Sequence, residues 1–251
     1  MSAEDLFEKA LEAKWRGDWD EAIKLFRRAL VGAETEKEVD ILHQIGVCFY
    51  RQGKLDEALG HFKEALELAR KIGAKDKEAA ALGNIGLIYQ TKGELDEALK
   101  YHGRALEIDE ELGNKEGMAR DFGNIGNIYR IRGELDEALR YFERGLKIDE
   151  ELGRKEGIAS KLGSIGLIYM DRGRLDKALE YYERALKISE ELGDIRGVAA
   201  DLGNIGCVYE LKGDRQKALD YYRRALELYK RLGARQEIEI VEQNIRELEG
   251  G

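Results

Sequence analysis

The segment that decides the fold is GNIGLIY at residues 83–89, which recurs at 123–129 as GNIGNIY. Close relatives follow at 163–169, GSIGLIY, and at 203–209, GNIGCVY. Successive copies are 40 residues apart, and a fixed period of about 20 to 50 residues is typical of repeat architectures. The chain is therefore predicted to consist of stacked copies of one structural unit.

Single-residue positions keep the same period outside this segment. One column of alanines, for example, contains Ala58, Ala98, Ala138, Ala178 and Ala218. A weaker copy comes first, at a spacing of 36 residues from the next one. We predict one domain over residues 1–251, with six repeats at 3–38, 39–78, 79–118, 119–158, 159–198 and 199–235, and a capping helix at 236–249.

Each copy contains two predicted helices. Apolar residues recur every three or four positions, as at Leu82, Ile85 and Ile88, which is the period of an amphipathic helix. Gly93 separates helix A from helix B, and Gly113 follows helix B, where a left-handed cap favours glycine. The pattern predicts an all-α chain of helix-turn-helix repeats.

Two further glycine columns lie inside helix A. The Gly86 column, which includes Gly46, Gly126, Gly166 and Gly206, is expected to let neighbouring helices approach closely. The Gly83 column needs a separate reason, because a glycine inside a helix costs about 1 kcal/mol relative to alanine. Either a helix or a ligand approaches closely there, and we favour helix packing.

Composition excludes several classes of protein. The 42 Lys+Arg and 51 Asp+Glu residues give a net charge of −9, which argues against a cationic nucleic-acid-binding surface. No segment approaches the roughly 20 apolar residues that span a bilayer, and the start of the chain lacks the features of a secretory signal. We expect a cytoplasmic protein that binds neither nucleic acid nor membrane, and the sequence leaves its oligomeric state open.

The residues shared by the copies resemble the tetratricopeptide repeat pattern, and in the third copy they are Leu82, Gly86, Tyr89, Ala98, His102 and Ala105. The usual repeat has about 34 residues and a proline near the end of helix B, whereas this one has 40 residues and Glu110 at that place. The longer variant is similar to the repeats of Pins-type polarity adaptors and kinesin light chains. The resemblance implies a right-handed α-solenoid whose A helices line a concave groove that binds a peptide of a partner protein.

The family register places the sixth residue of each copy in that groove. These residues are short amides and one hydroxyl, namely Gln44, Asn84, Asn124, Ser164 and Asn204. An asparagine side chain has two donors and an acceptor, so it can pair with the backbone of an extended ligand. The alternative is that these side chains bond only to neighbouring helices or water.

Three residues of the fourth copy depart from the repeat at groove positions, namely Arg120, Asn127 and Arg130. The two arginines predict a site for an acidic residue of the ligand, and solvated surface arginines are the alternative. We therefore predict a non-enzymatic adaptor that binds a partner peptide. A structural scaffold, or an engineered consensus-like array that self-associates and has no natural ligand, is the second hypothesis.

Catalytic and metal-binding patterns are not found in the sequence. His43 is a candidate groove residue, His102 occupies the position of a core aromatic residue, and Cys48 lies in an apolar column. Cys207 has no neighbouring Cys or His at a metal-ligand spacing. We predict no catalytic residue, metal or cofactor, and we expect acidic segments such as 109–111 and 149–151 to be solvated ends of helix B.

Overall fold

The computed structural model describes residues 2–250, which form thirteen α-helices and, within that range, no strand. The helices are α1 (Ala3–Trp15), α2 (Trp19–Leu30), α3 (Thr35–Arg51), α4 (Leu55–Ile72), α5 (Lys75–Thr91), α6 (Leu95–Leu112), α7 (Lys115–Ile131), α8 (Leu135–Leu152), α9 (Lys155–Asp171), α10 (Leu175–Leu192), α11 (Ile195–Leu211), α12 (Arg215–Leu232) and α13 (Arg235–Gly250). Odd-numbered helices up to α11 are A helices and even-numbered ones are B helices. The predicted all-α fold class, with helix-turn-helix repeats and a C-terminal helix, is confirmed.

The chain divides into two compact units that adjoin in sequence between Ile128 and Tyr129, within α7. Unit 1 contains α1 to α6 and most of α7, and unit 2 contains the end of α7 and α8 to α13. In unit 1, α1 to α6 form three helical hairpins, each packed on the next. In unit 2, α9 to α12 form two hairpins that pack on α8 at one end and on α13 at the other. That the whole chain forms one domain stays a prediction.

Glycines end the helices where the sequence placed them. Gly113 has a φ of 66° and caps α6, and the N–H of Asn114 donates to the carbonyl of Asp109 at 2.8 Å. Gly93, with a φ of 78°, forms the turn between α5 and α6. L-residues with a side chain rarely adopt these left-handed conformations, so both glycine columns are required by the backbone.

The Gly86 column lies against large side chains of the following B helix. A Cβ on Gly86 would stand 2.8 Å from the ring of His102, and one on Gly166 would stand 2.8 Å from the ring of Tyr182. Contacts this short do not occur without displacement of one partner. The predicted close approach is confirmed within both units, and it excludes even a methyl group.

The two ends of the chain differ from the middle. Helices α1 and α2 have 13 and 12 residues, against 17 and 18 in the next hairpin. The shorter spacing of the first copy comes from α2, because the length of α1 does not enter the distance from Gly17 to Gly53. The last helix, α13, buries Val241 against the end of unit 2, and Glu242 pairs with Lys230 at 2.9 Å. None of the helices that the structure describes is both long and apolar enough to cross a bilayer.

Candidate functional site

In unit 1, three A helices surround a depression of about 380 Å³. Its lining comprises His43 from α3, Ala80, Gly83, Asn84 and Leu87 from α5, and Arg120 and Asn124 from α7. Three of the predicted site residues, Asn84, Asn124 and Arg120, are therefore brought to one place.

Asn84 is already bonded through its amide nitrogen. This nitrogen donates to the carbonyl of Ala80 at 3.0 Å and lies 2.6 Å from Nε2 of His43. Burial, with a smaller contribution from the charge of Lys14, lowers the pKa of His43, so the imidazole is neutral and Nε2 can accept the bond. Asn84 thus bonds through Nδ2 to its own helix and to His43 of α3, and presents its carbonyl oxygen as the remaining acceptor.

Gln44, the corresponding residue of α3, accepts a hydrogen bond from Nζ of Lys14 at 2.6 Å. It is absent from the lining of the unit 1 depression, to which α3 contributes His43. The amide series therefore begins with a residue that is engaged within the protein.

The expectation that helices pack closely at Gly83 is wrong. A Cβ on Gly83 would meet one nearby atom, Oδ1 of Asp121 at 3.7 Å, which is an ordinary van der Waals contact. The equivalent Gly163 has Asp201 at 3.9 Å, and Gly203 has no atom within 4 Å. A methyl group would therefore make an ordinary contact at Gly83 and Gly163 and would meet open space at Gly203, so close helix packing does not require glycine at any of the three positions.

Arg120 lies at the edge of the depression with 53% of its side chain exposed. Its guanidinium is 3.7 Å from Oδ2 of Asp109, whose side chain is fully buried. Burial raises the pKa of Asp109, while the Asn114 amide, which donates to Oδ1 at 2.8 Å, and the Arg120 charge oppose this rise. Arg120 is accordingly a half-exposed cation with one buried counter-charge behind it.

Asp109 and Asp149 correct the expectation of solvated helix ends, because they are 0% and 2% exposed. Glycines in the first turn of the following A helix provide the space: a Cβ on Gly117 would collide with Asp109, and one on Gly157 would collide with Asp149. The signal in the sequence was the 40-residue recurrence of these glycines, which continues at Gly197.

We use the term junction pair for a B-helix residue and the A-helix residue twelve positions later, which lie where consecutive copies meet. In unit 1 the pair is Asp109 with Asp121, and the Asp121 charge contributes to the raised pKa of Asp109. Oδ1 of Asp121 also lies 3.2 Å from Nδ1 of His102, and both side chains are fully buried. His102 is a core residue as predicted, but its acidic partner was not foreseen.

The junction pairs of unit 2 have different chemistry. Nζ of Lys161 lies 3.5 Å from Oδ2 of Asp149, and both residues are buried. In the next pair the hydroxyl of Ser189 donates to Oδ2 of Asp201 at 3.0 Å. Burial raises the pKa of Asp201 to about 6.

Unit 2 has a depression of about 330 Å³ between α9 and α11, which we call the acidic depression. Its polar lining consists of three carboxylates, three hydroxyls and one amide, from Glu156, Asp194, Asp201, Ser160, Ser164, Ser189 and Asn204. Ser164 donates its hydroxyl to the carbonyl of Ser160 at 2.9 Å. The predicted residues Ser164 and Asn204 thus share a surface whose charge is opposite to that of Arg120.

A smaller depression of about 190 Å³ lies between α11 and α13. Its lining includes Asn204, Cys207, Ile240 and Asn244. Asn244 was missed by the sequence analysis, although it stands 40 residues after Asn204 and continues the amide series. The terminal helix therefore contributes to this depression a residue at the same repeat position as Asn204.

Asn127 and Arg130 are half-buried and are not among the residues that line these three depressions. Arg130 belongs to unit 2, whereas Arg120 belongs to unit 1. Nε of Arg130 is buried and has no hydrogen-bond partner among the described residues. A shared site for the two arginines stays a prediction.

Cys48 is fully buried, and burial raises its pKa to about 11. The thiol is therefore protonated at neutral pH. This confirms the prediction that Cys48 is a core residue.

Solved structures with the same fold include BtubC (BKLC) from P. vanneervenii, which is 22% identical, with 93% of each chain covered and a TM-score of 0.73. A Rap protein complexed with Competence and Sporulation Factor is 18% identical, with 98% of this chain and 74% of that chain covered and a TM-score of 0.71. A putative kinesin light chain from Podosopora anserina with nearly identical TPR-like repeats is 16% identical, with 80% of this chain and 99% of that chain covered and a TM-score of 0.65. No curated protein matches the sequence.

The family model for the tetratricopeptide repeat matches residues 10–71, 37–111, 77–151 and 157–231. These matches extend over most of the chain and agree with the helix-turn-helix repeats described above. Proteins built from this repeat are generally protein-interaction modules. The chain belongs to the tetratricopeptide repeat family.

Proposed function

We propose that the chain is an adaptor that binds an extended peptide segment of a partner protein on its A-helix surface. In unit 1 the peptide would lie in the depression formed by α3, α5 and α7. Asn84, Asn124 and Arg120 would hold it there.

The observation that carries this proposal is that Gly83 lines the depression although close packing does not require a glycine there, since a Cβ would make only an ordinary contact with Oδ1 of Asp121 at 3.7 Å. A glycine in a helix interior costs about 1 kcal/mol of stability relative to alanine. No neighbouring helix is close enough to Gly83 to exclude the methyl group of an alanine. A larger residue would fill the floor of the depression. The glycine is explained if the depression must remain open to a ligand.

The polar groups around this floor suit a peptide. The carbonyl oxygen of Asn84 can accept from a backbone N–H, and the amide of Asn124 can both donate and accept. Arg120 can donate to an acidic side chain of the ligand, since its guanidinium is half exposed. Leu87 adds an apolar contact, so the lining combines backbone recognition with one charged and one apolar preference.

A related fold is known to accommodate a bound factor, because the Rap protein described above was solved in complex with Competence and Sporulation Factor. This supports the view that such a repeat array can serve as a binding surface. The predicted residues support it as well, because Asn84 and Asn124 line the depression of unit 1 and Ser164 and Asn204 line that of unit 2.

The test uses an mRNA-display library of random twelve-residue peptides, selected on the full chain. Gly83→Leu would fill the depression, and Gly60→Leu is the matched control, because Gly60 is an exposed interior glycine of the B helix α4 with no atom near its Cβ position. We expect Gly83→Leu to weaken the selected peptides at least about tenfold, which corresponds to roughly 1.4 kcal/mol. Gly60→Leu should leave their affinity unchanged.

Unchanged affinity in a folded Gly83→Leu variant would defeat the proposal for this depression. Circular dichroism of both variants establishes that the helical content is retained. Cross-linking of the selected peptides would then show whether they bind elsewhere on the chain.

The alternative is a structural role in which copies of the chain associate. One observation favours it, since Trp15 at the end of α1 is 88% exposed and Val31 directly after α2 is 82% exposed. A contiguous exposed apolar patch marks an interaction site, whereas a single exposed apolar residue does not, so this alternative requires the two residues to belong to one patch. Sedimentation of the wild type and of Trp15→Ser would test it. A monomer at all concentrations in both proteins would eliminate self-association.

A further inference from the structure

The acidic depression of unit 2 is unusual in the charge of its lining. Three carboxylates, those of Glu156, Asp194 and Asp201, face it, and no lysine, arginine or histidine belongs to the lining. Basic residues are adjacent in sequence, but their side chains are engaged elsewhere. Lys155 pairs with Glu191 at 2.7 Å, Arg196 pairs with Glu237 at 3.1 Å, and Arg154 lies 3.7 Å from Asp149.

Asp201 is the buried member of this set, with 7% of its surface exposed. Ser189 donates to its Oδ2. Its Oδ1 has no donor in the described part of the chain and lies 3.9 Å from the Cβ position of Gly163, which also lines the depression. One oxygen of a buried carboxylate is thus unpartnered and directed into the cavity.

The preceding junction pair contains a buried carboxylate that has a counter-ion within the protein. There Lys161 occupies the position that corresponds to Asp201, and its ammonium lies 3.5 Å from the buried carboxylate of Asp149. In the Asp201 junction the carboxylate lies on the A helix, and its partner from the B helix is the Ser189 hydroxyl, which carries no charge. Because a buried charge without a counter-ion is costly, a cation supplied from outside would complete the site.

We propose that the acidic depression binds the ammonium or guanidinium group of a lysine or arginine side chain of the bound peptide. This inference rests on the proposed peptide-binding function and adds the chemical class of residue that unit 2 selects. The hydroxyl oxygens of Ser160 and Ser164 and the amide of Asn204 line the same space and can accept from the cation's remaining N–H groups.

The proposal has a consequence for pH. Burial raises the pKa of Asp201 to about 6, and the Asp194 charge adds to this, while the Ser189 hydrogen bond opposes it. A cation binds the ionised carboxylate, so affinity should increase by up to about tenfold as the pH rises from about 5 to about 7. Glu156 on α9, Ser189 on α10 and Asp194 before α11 face the same space, and Tyr229 on α12 feels the Asp201 charge.

The experiment is an NMR titration of the full chain with the tripeptide acetyl-Ala-Lys-Ala amide and with its analogue that has norleucine in place of lysine. Asp201→Asn removes the charge but keeps an oxygen that can accept from Ser189. Asp220→Asn is the matched control, because Asp220 is an exposed carboxylate on the B helix α12 of the same unit. We expect the lysine peptide to shift the amide signals of Gly163, Ser164 and Gly197 and to bind about tenfold more tightly than the norleucine peptide.

The lysine preference should be lost in Asp201→Asn and retained in Asp220→Asn. Equal binding of the two tripeptides, or a lysine preference that survives Asp201→Asn, would overturn the inference. The two proposals fail separately. If selected peptides lose affinity in Gly83→Leu and yet contain no lysine or arginine whose contribution depends on Asp201, only the cation site is refuted. If the tripeptide shows a lysine-specific site but the library yields no binding peptide, only the proposed function is refuted.

Discussion

Two glycines of α5, three residues apart, should respond in opposite directions to the same change. Gly83→Ala adds a methyl group whose nearest neighbour is at 3.7 Å, so the variant gains helix propensity and loses backbone freedom in the unfolded chain. The expected gain is about 0.5–1 kcal/mol. In a domain of this size that corresponds to an increase in Tm of roughly 1–4 °C.

Gly86→Ala gains the same propensity but places a methyl group 2.8 Å from two atoms of the His102 ring. The ring cannot yield easily, because His102 is fully buried and its Nδ1 is held 3.2 Å from Asp121. Overpacking of a core typically costs about 1–3 kcal/mol, so the net effect should be a destabilisation of about 1 kcal/mol.

The assay is thermal unfolding of the three proteins followed by circular dichroism at one concentration. The two variants should differ in Tm by roughly 4–8 °C, with the wild type between them. If both variants were stabilised equally, the glycines would face similar surroundings. The distinction between an ordinary contact at Gly83 and a clash at Gly86 would then be refuted.

Ala138→Leu should cost about 1–3 kcal/mol in urea unfolding, because Ala138 is fully buried, and Glu150→Leu at an exposed position should be nearly silent. Asp201→Asn should be more stable than the wild type at neutral pH by up to about 3 kcal/mol. The folded-state pKa of Asp201 lies above the unfolded value, so the difference should disappear as the pH falls below about 4 in melts at several pH values. Once a peptide is selected, calorimetry at two salt concentrations should show that Arg120→Ala weakens binding and reduces its salt dependence, whereas Asn124→Ala weakens binding alone.

The helical architecture could be predicted because the same apolar, small and glycine positions recur in each copy. The residues that turn the chain, such as Gly93 and Gly113, and the small residues of the Gly86 column recur at one spacing, so a single alignment fixes helices, turns and packing faces. The same alignment brought Asn84 and Asn124 to one depression.

Burial of charge and the surroundings of individual glycines could not be predicted in this way. Gly83 and Gly86 are both interior glycines of α5, and only the position of the neighbouring side chains distinguishes an ordinary contact at Gly83 from a clash at Gly86. A carboxylate near a helix end is ordinarily solvated, so the burial of Asp109 and Asp149 could not be predicted from these residues themselves. The glycines that make room for them lie on another helix, and their meaning requires the three-dimensional arrangement.

The junction pairs make the copies non-interchangeable in spite of their similar sequences. Deletion of residues 155–194 would remove one whole copy and leave Asp149 opposite Asp201, without Lys161. Two buried carboxylates that face each other cannot both ionise readily. The native pair of Asp109 and Asp121 has His102 beside Asp121, whereas Phe142 stands at the corresponding position here, so the shortened protein should be less stable at neutral pH. Deletion of residues 195–234 would instead leave Ser189 opposite Val241, a combination without charge. The order of the copies is therefore fixed, and gain or loss of a copy should be tolerated at some boundaries and destabilising at others.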